Sequence, residues 1–173
     1  MSYVVWPYMK IENEWTIPDK MIMAIWDKIV ELNRVKPTWY DGSVKNKEEF
    51  IEFMRDPYIF SILVVDADKI RLCALAWLND IIDGTARAHF CFLDKYHPEV
   101  IQAIINYWKK IDSLEVITGI TPKTYKHIIK IADRAGFKIV GTIPQICNMY
   151  YENRREGGVV CYYLTKGESN GRE

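Results

Sequence analysis

No excess of charge, long apolar run or metal-ligand spacing marks this sequence. Its 173 residues carry 23 Lys and Arg against 23 Asp and Glu. A neutral chain lacks the basic face that nucleic acid or an anionic membrane surface selects, so neither is an expected partner. No stretch reaches the roughly 18 apolar residues that span a bilayer. The opening, MSYVVWPYMKIENEW, has neither the basic start nor the long apolar core of an export signal, and a cytoplasmic location is the expectation. The four cysteines (Cys73, Cys91, Cys147, Cys161) form no CxxC or Cys/His pattern. They are expected as small core residues in a reducing compartment, with no metal. Repeats and Pro/Gly/Ser-rich linkers are also missing. One domain over residues 1–165 is therefore expected, followed by a polar, disordered tail over 166–173.

What is present is periodicity. Residues 3–10 read as a first strand, with Pro7 at an edge or bend. Pro18-Asp19 opens a helix whose Ile22, Ile25, Trp26, Ile29 and Leu32 fall on one stripe; Pro37 ends it. PTWYDG (37–42) reads as a loop, and Lys47 to Arg55 as a short helix. Three strands follow over 59–65, 70–78 and 85–93. In the third, Ala86, Ala88, Phe90 and Phe92 share one face, and Arg87, His89, Cys91 and Leu93 the other. Pro98 opens a helix with Val100, Ile101, Ile104, Ile105, Trp108 and Ile111 at helical spacing, and Leu114 to Ile120 is a strand. That strand–helix–strand unit predicts a crossover between parallel strands. Thr121 and Pro122 are expected to start a further helix, closed by Gly136. Strands at 138–143 and 159–165 flank an expected polar-aromatic loop, QICNMYYENRREGG (145–158).

The resulting order is β-α-α-β-β-β-α-β-α-β-β, an α/β fold with a mixed sheet. With Ala135-Gly136-Phe137 closing the last helix, it resembles the GNAT superfamily of acyl-CoA-dependent N-acyltransferases. The chain is most similar to divergent members from phage and prophage genomes. The resemblance implies that strands 85–93 and 114–120 are parallel and splay apart around the pantetheine arm of acetyl-CoA, held by the main chain of Phe90, Cys91 and Phe92. It further implies a small-molecule or peptide amine as acceptor. The family's pyrophosphate motif, Q/R-x-x-G-x-G/A, has no counterpart here. No glycine lies between Gly84 and Gly119, and Asp94 and Glu99 bring negative charge beside Lys95 and His97, the two side chains available to offset it. The tyrosine that members place four residues before the helix-ending glycine is replaced by Ala132, leaving Tyr125, Tyr150 or Tyr151 as the acid.

Two readings stand for each remaining candidate. His89 is a general base, or a histidine hydrogen-bonded on the sheet surface. Trp39, Tyr40, Tyr150 and Tyr151 border the acceptor site as substrate lids, or pack on the domain edge or against a homodimer partner. For the whole chain, the alternatives are an N-acyltransferase using acetyl-CoA and a GNAT-like binding or assembly module, phage-derived, that has lost its cofactor.

Overall fold

A computed structural model describes residues 2–166. The expectation of a disordered tail falls on residues outside this range from 167 onward. Seven strands form one sheet in the order β1-β4-β5-β6-β7-β9-β8. They are β1 (Tyr3–Tyr8), β4 (Phe60–Asp66), β5 (Arg71–Ile82), β6 (Thr85–Phe92), β7 (Val116–Pro122), β8 (Lys138–Met149) and β9 (Arg154–Leu164). A separate small hairpin pairs β2 (Lys10–Ile11) with β3 (Glu14–Trp15). Every neighbouring pair in the large sheet is antiparallel except β6 and β7.

Helices cover both faces. On one side α1 (Asp19–Glu31) and α3 (Lys47–Arg55) bury Ile22, Ile25, Trp26, Ile29, Phe50 and Met54 against Leu63, Leu75, Trp77, Cys91 and Leu93. Asn46 caps α3 by accepting from the Glu49 N–H at 2.8 Å, while Glu49 reaches back to the Lys45 N–H at 2.7 Å. This reciprocal arrangement satisfies two amides that the helix leaves without partners. On the other side α4 (Pro98–Trp108) sets Val100, Ile101, Ile104, Ile105 and Trp108 against Ile62, Val64, Ala74, Ala76 and Ile117. The face assignment expected for β6 holds, with Ala86 and Phe92 on the α4 side and Cys91 opposite.

Three local expectations are corrected. The first helix stops at Glu31, not at Pro37. Asn33 takes a left-handed conformation (φ 53°), and a separate turn of helix, α2 (Val35–Thr38), includes Pro37. Thr121 and Pro122 do not start a helix, because β9 is long enough to hold them in β7, opposite Val159 and Gly158. The Lys123 N–H still bonds Gly157, and the Thr124 N–H and hydroxyl both bond Glu156. Helix α5 therefore begins later (Lys126–Arg134), with Tyr125 at its N-cap. The expected loop over 145–158 is largely sheet: β8 and β9 pair as far as Met149 and Arg154 around a 3₁₀ turn (Tyr150–Glu152). Register shifts at 139–141 and 143–147, with Gln145 at φ 53°, break the alternation by which a strand is read from sequence.

The end of α5 follows expectation. Gly136 (φ 93°) and Phe137 return their N–H groups to the carbonyls of Asp133 and Ala132, a Schellman closure that needs the left-handed residue.

Candidate active site

Strands β6 and β7 pair only over Thr85–Arg87 and Val116–Thr118, then part. Main-chain direction on each side of the gap follows from the bonds that remain. The Gly84 carbonyl accepts from the Val116 N–H, and the Ala86 carbonyl accepts from the Thr118 hydroxyl. The Leu93 N–H, by contrast, bonds Cys73 on the β5 side. N–H and C=O of one strand residue point the same way, and the direction alternates. The Ala88 N–H meets the Thr118 carbonyl in the last parallel pair, so the Ala88 carbonyl and the main chain of Phe90 open unpaired into the gap, whereas His89 and Cys91 spend their groups on Trp77 and Leu75 of β5. On the far wall Ile120 faces the gap by the same rule.

The gap is a narrow slot of about 90 Å³ that passes through the sheet. Ala88, Phe90, Gly119, Ile128, Ala132 and Phe137 line its α5 end; Thr38, Tyr40, Trp77 and His89 line the end under α2. There it meets a second, larger cavity of about 530 Å³, with Thr38, Tyr40, Trp77, His89 and Ile120 common to both. The larger cavity carries the carboxylates of Asp41, Glu49, Glu52 and Asp56 and the aromatic side chains of Trp39, Phe53 and Trp77. Its one guanidinium, Arg87, lies 3.3 Å from Asp80.

His89 sits at the junction. Its ring stacks on Trp77 (centroids 5.1 Å, planes within 3°), and Nε2 lies 3.0 Å from Asn79 Oδ1. An amide oxygen only accepts, so in this arrangement Nε2 carries the proton and Nδ1 holds the lone pair. Burial, with the nearby Arg87 charge, pushes the imidazole pKa down to about 4. His89 is therefore neutral at physiological pH.

Tyr40 and Tyr125 flank the slot edge to face, with centroids 6.2 Å apart. Burial raises both hydroxyls above their ordinary pKa, most strongly Tyr40, which also contacts the Cys147 thiol. Both phenols thus keep their protons at neutral pH.

The other predicted residues lie elsewhere. Trp39 is buried, stacked on Trp77 and edge-on to Phe50 and Phe53, and forms a wall of the larger cavity. Tyr150 is exposed and lies over Gly42, where an added Cβ would come within 2.5 Å of its ring; its N–H bonds the Tyr40 carbonyl. Tyr151 lines a small cleft beside Tyr40 and Tyr125, under the Lys36 ammonium. Cys91 is buried on the face opposite Phe90, and Phe92 packs edge to face on Tyr96. Lys95 and His97 line neither the slot nor the cavity.

Sequence reasoning did not single out Asp41, Glu49, Glu52, Asp56, Asn79 or Cys147. Only their convergence across α2, α3, β5 and β8 reveals them.

No protein-family model matches the chain, and no curated protein matches it. Solved structures do. A ribosomal-protein-S5-alanine acetyltransferase from Vibrio fischeri superposes with a TM-score of 0.70 at 11% identity, over 95% of this chain and 94% of the other. A spermidine N-acetyltransferase from Vibrio cholerae, solved with CoA and spermine, gives 0.71 at 14% identity over 95% and 96%. The same enzyme in a dodecameric structure gives 0.68 at 15% over 99% and 98%. Over nearly its whole length the chain has the fold of the GNAT acetyltransferases.

Proposed function

We propose that this protein is an N-acyltransferase that moves an acyl group from a pantetheine thioester to a cationic amine. The observation that carries the reading is the junction of the two openings. A slot with unpaired main-chain groups at Ala88 and Phe90 passes through the sheet and ends in an acid-lined cavity at Tyr40 and His89. A pantetheine arm carries two amides that match such a strand edge. An ammonium group is drawn by the four carboxylates and by the aromatic faces beside them. The fold neighbours named for amine acetylation, one of them holding CoA and spermine, support the same assignment.

The acceptor nitrogen, once neutral, attacks the thioester carbonyl from the cavity side. His89 Nδ1 offers a lone pair to an amine N–H at the junction and so orients the nucleophile. A group with a pKa near 4 is a weak base toward an ammonium, so the first deprotonation falls to solvent or a cavity carboxylate. When the tetrahedral intermediate collapses the C–S bond breaks, and the thiolate takes a proton from Tyr40 or Tyr125. The proton left on the new amide nitrogen goes to water or to His89.

The test is a thiol-release assay with acetyl-CoA and acetyl-pantetheine against di- and polyamines, N-terminal peptides and neutral amines. Amides identified by mass are the expected product, with cationic acceptors preferred. A failure of every donor and acceptor pair would favour the rival reading, a phage-derived assembly module on the same scaffold. The acid-bearing, glycine-free start of α4 speaks for that rival.

A further inference from the structure

The far end of the slot, where the donor's phosphates would leave the protein, is the part of the site that does not match acetyl-CoA. β6 leads through residues 93–97 into the N-terminus of α4, at the end of the sheet where β6 and β7 diverge. A pyrophosphate held there needs unpaired N–H groups and positive charge. Neither is present. Pro98 has no N–H, and the Val100 N–H already bonds the His97 carbonyl. The first turn carries Glu99, whose carboxylate occupies the favourable end of the helix dipole. The nearest guanidinium, Arg71, is taken by Asp94 at 2.7 Å, with buried Asp66 at 3.7 Å. Phe92 and Tyr96 pack edge to face (5.3 Å, 88°) in the same segment.

The lysines of α5 do not compensate. Ile128 and Ala132 face the slot, and helical spacing turns Lys126 and Lys130 to the opposite side, where both are exposed. Lys95 is an exposed side chain between Asp94 and Glu99.

We infer that this site recognises its donor through the acyl-pantetheine arm alone and leaves whatever is attached beyond the arm outside the protein. The inference rests on the acyl-transfer reading above and goes beyond it. A pantetheine thioester reaches a protein from two sources, free CoA and the prosthetic arm of a carrier protein. A site built this way accepts either, and gains no affinity from a 3′-phospho-ADP group.

Calorimetry with wild-type protein and three probes separates the cases: pantetheine, CoA, and a holo carrier protein bearing the arm. Steady-state rates with the three acetylated forms run beside it. Pantetheine and CoA are expected to bind within about threefold of each other, with 3′,5′-ADP failing to compete. A carrier protein that binds better than pantetheine identifies the carrier as the source; equal binding identifies free CoA read through its arm. Binding of CoA at least thirtyfold tighter than pantetheine, abolished by 3′,5′-ADP, overturns this inference and leaves the transferase reading intact. Failure of all three probes to bind removes the transferase reading, and this inference with it. Asp94→Asn is the second check. It removes a negative charge and leaves Arg71 with Asp66 as its one carboxylate partner among the described residues, so CoA is expected to gain over pantetheine in this variant; an unchanged ratio contradicts the electrostatic argument.

Discussion

His89 gives a sharp test of the site's electrostatics that needs no substrate. Its pKa is about 4 in the folded protein, against an ordinary 6.5. The folded pKa is depressed, so the unfolded chain takes up a proton first as the pH falls. The stability associated with neutral His89 is therefore complete above pH 6.5 and is lost as the pH drops toward 4. Linkage gives a loss of about 2 kcal/mol between pH 7 and pH 5, approaching about 3 kcal/mol near pH 4. His89→Phe keeps an aromatic ring against Trp77 and removes the titration. The difference between the two curves reports the contribution of this one group. The assay is urea unfolding of both proteins at pH 7, 6, 5 and 4.5, read by tryptophan fluorescence. The variant is expected to start lower, having lost the Asn79 hydrogen bond, and then to lose about 2 kcal/mol less than wild type by pH 5. Parallel curves would mean that His89 is not held neutral, and the orientation role assigned to Nδ1 would fall with it.

Other perturbations report on the remaining parts. Tyr40→Phe and Tyr125→Phe, assayed singly, should show which phenol supplies the thiolate's proton: the one that does loses about 100-fold in kcat with little change in donor affinity. If both variants keep full turnover, the thiolate leaves unprotonated or takes its proton from water. Asp41→Asn and Glu52→Gln should each raise KM severalfold for a polyamine and leave a neutral amine unaffected. Equal effects on the two acceptors would show that the carboxylates do not read charge. Gly158→Ala forces a methyl within 2.8 Å of Ile120, Ile146 and Cys147. Overpacking of that kind costs about 1–3 kcal/mol and should lower Tm by roughly 5 °C, by calorimetry. An unchanged Tm would mean that the β8–β9 hairpin yields easily beside the site.

The slot was more legible in the sequence than the cavity beside it. The alternation of β6, the Pro98 helix and the Gly136 closure are local signals, and they place the two parallel strands and the helix that lines the gap. Carboxylates at 41, 49, 52 and 56 read individually as ordinary surface residues, because only the packing of α2 and α3 over β5 gathers them. Cys147 and Ile146 fall in an expected loop, since the bulges in β8 disrupt the period of two by which strands are recognised. Lys95 and His97 are phosphate-site candidates only through the family resemblance. The chemistry of the segment, with Asp94 holding Arg71 and Pro98 lacking an N–H, argues against that role. Cys91 was grouped with Phe90 because of its place in the chain, yet strand alternation sends its main chain to β5. A backbone rail is a matter of parity, and parity becomes visible only when one interstrand bond is known.

Amide exchange tests the central claim most directly. With Gly84 and Ala86 bonded toward β7 and the Ala88 N–H closing the last parallel pair on Thr118, the Phe90 N–H opens into the slot, while those of His89 and Cys91 are engaged by β5. In the free protein, Phe90 should exchange fast and Ala88, His89 and Cys91 slowly. Saturation with acetyl-pantetheine should slow Phe90 alone within the strand. If exchange at Phe90 is already slow in the free protein, or does not change at millimolar thioester, the slot is not a donor site.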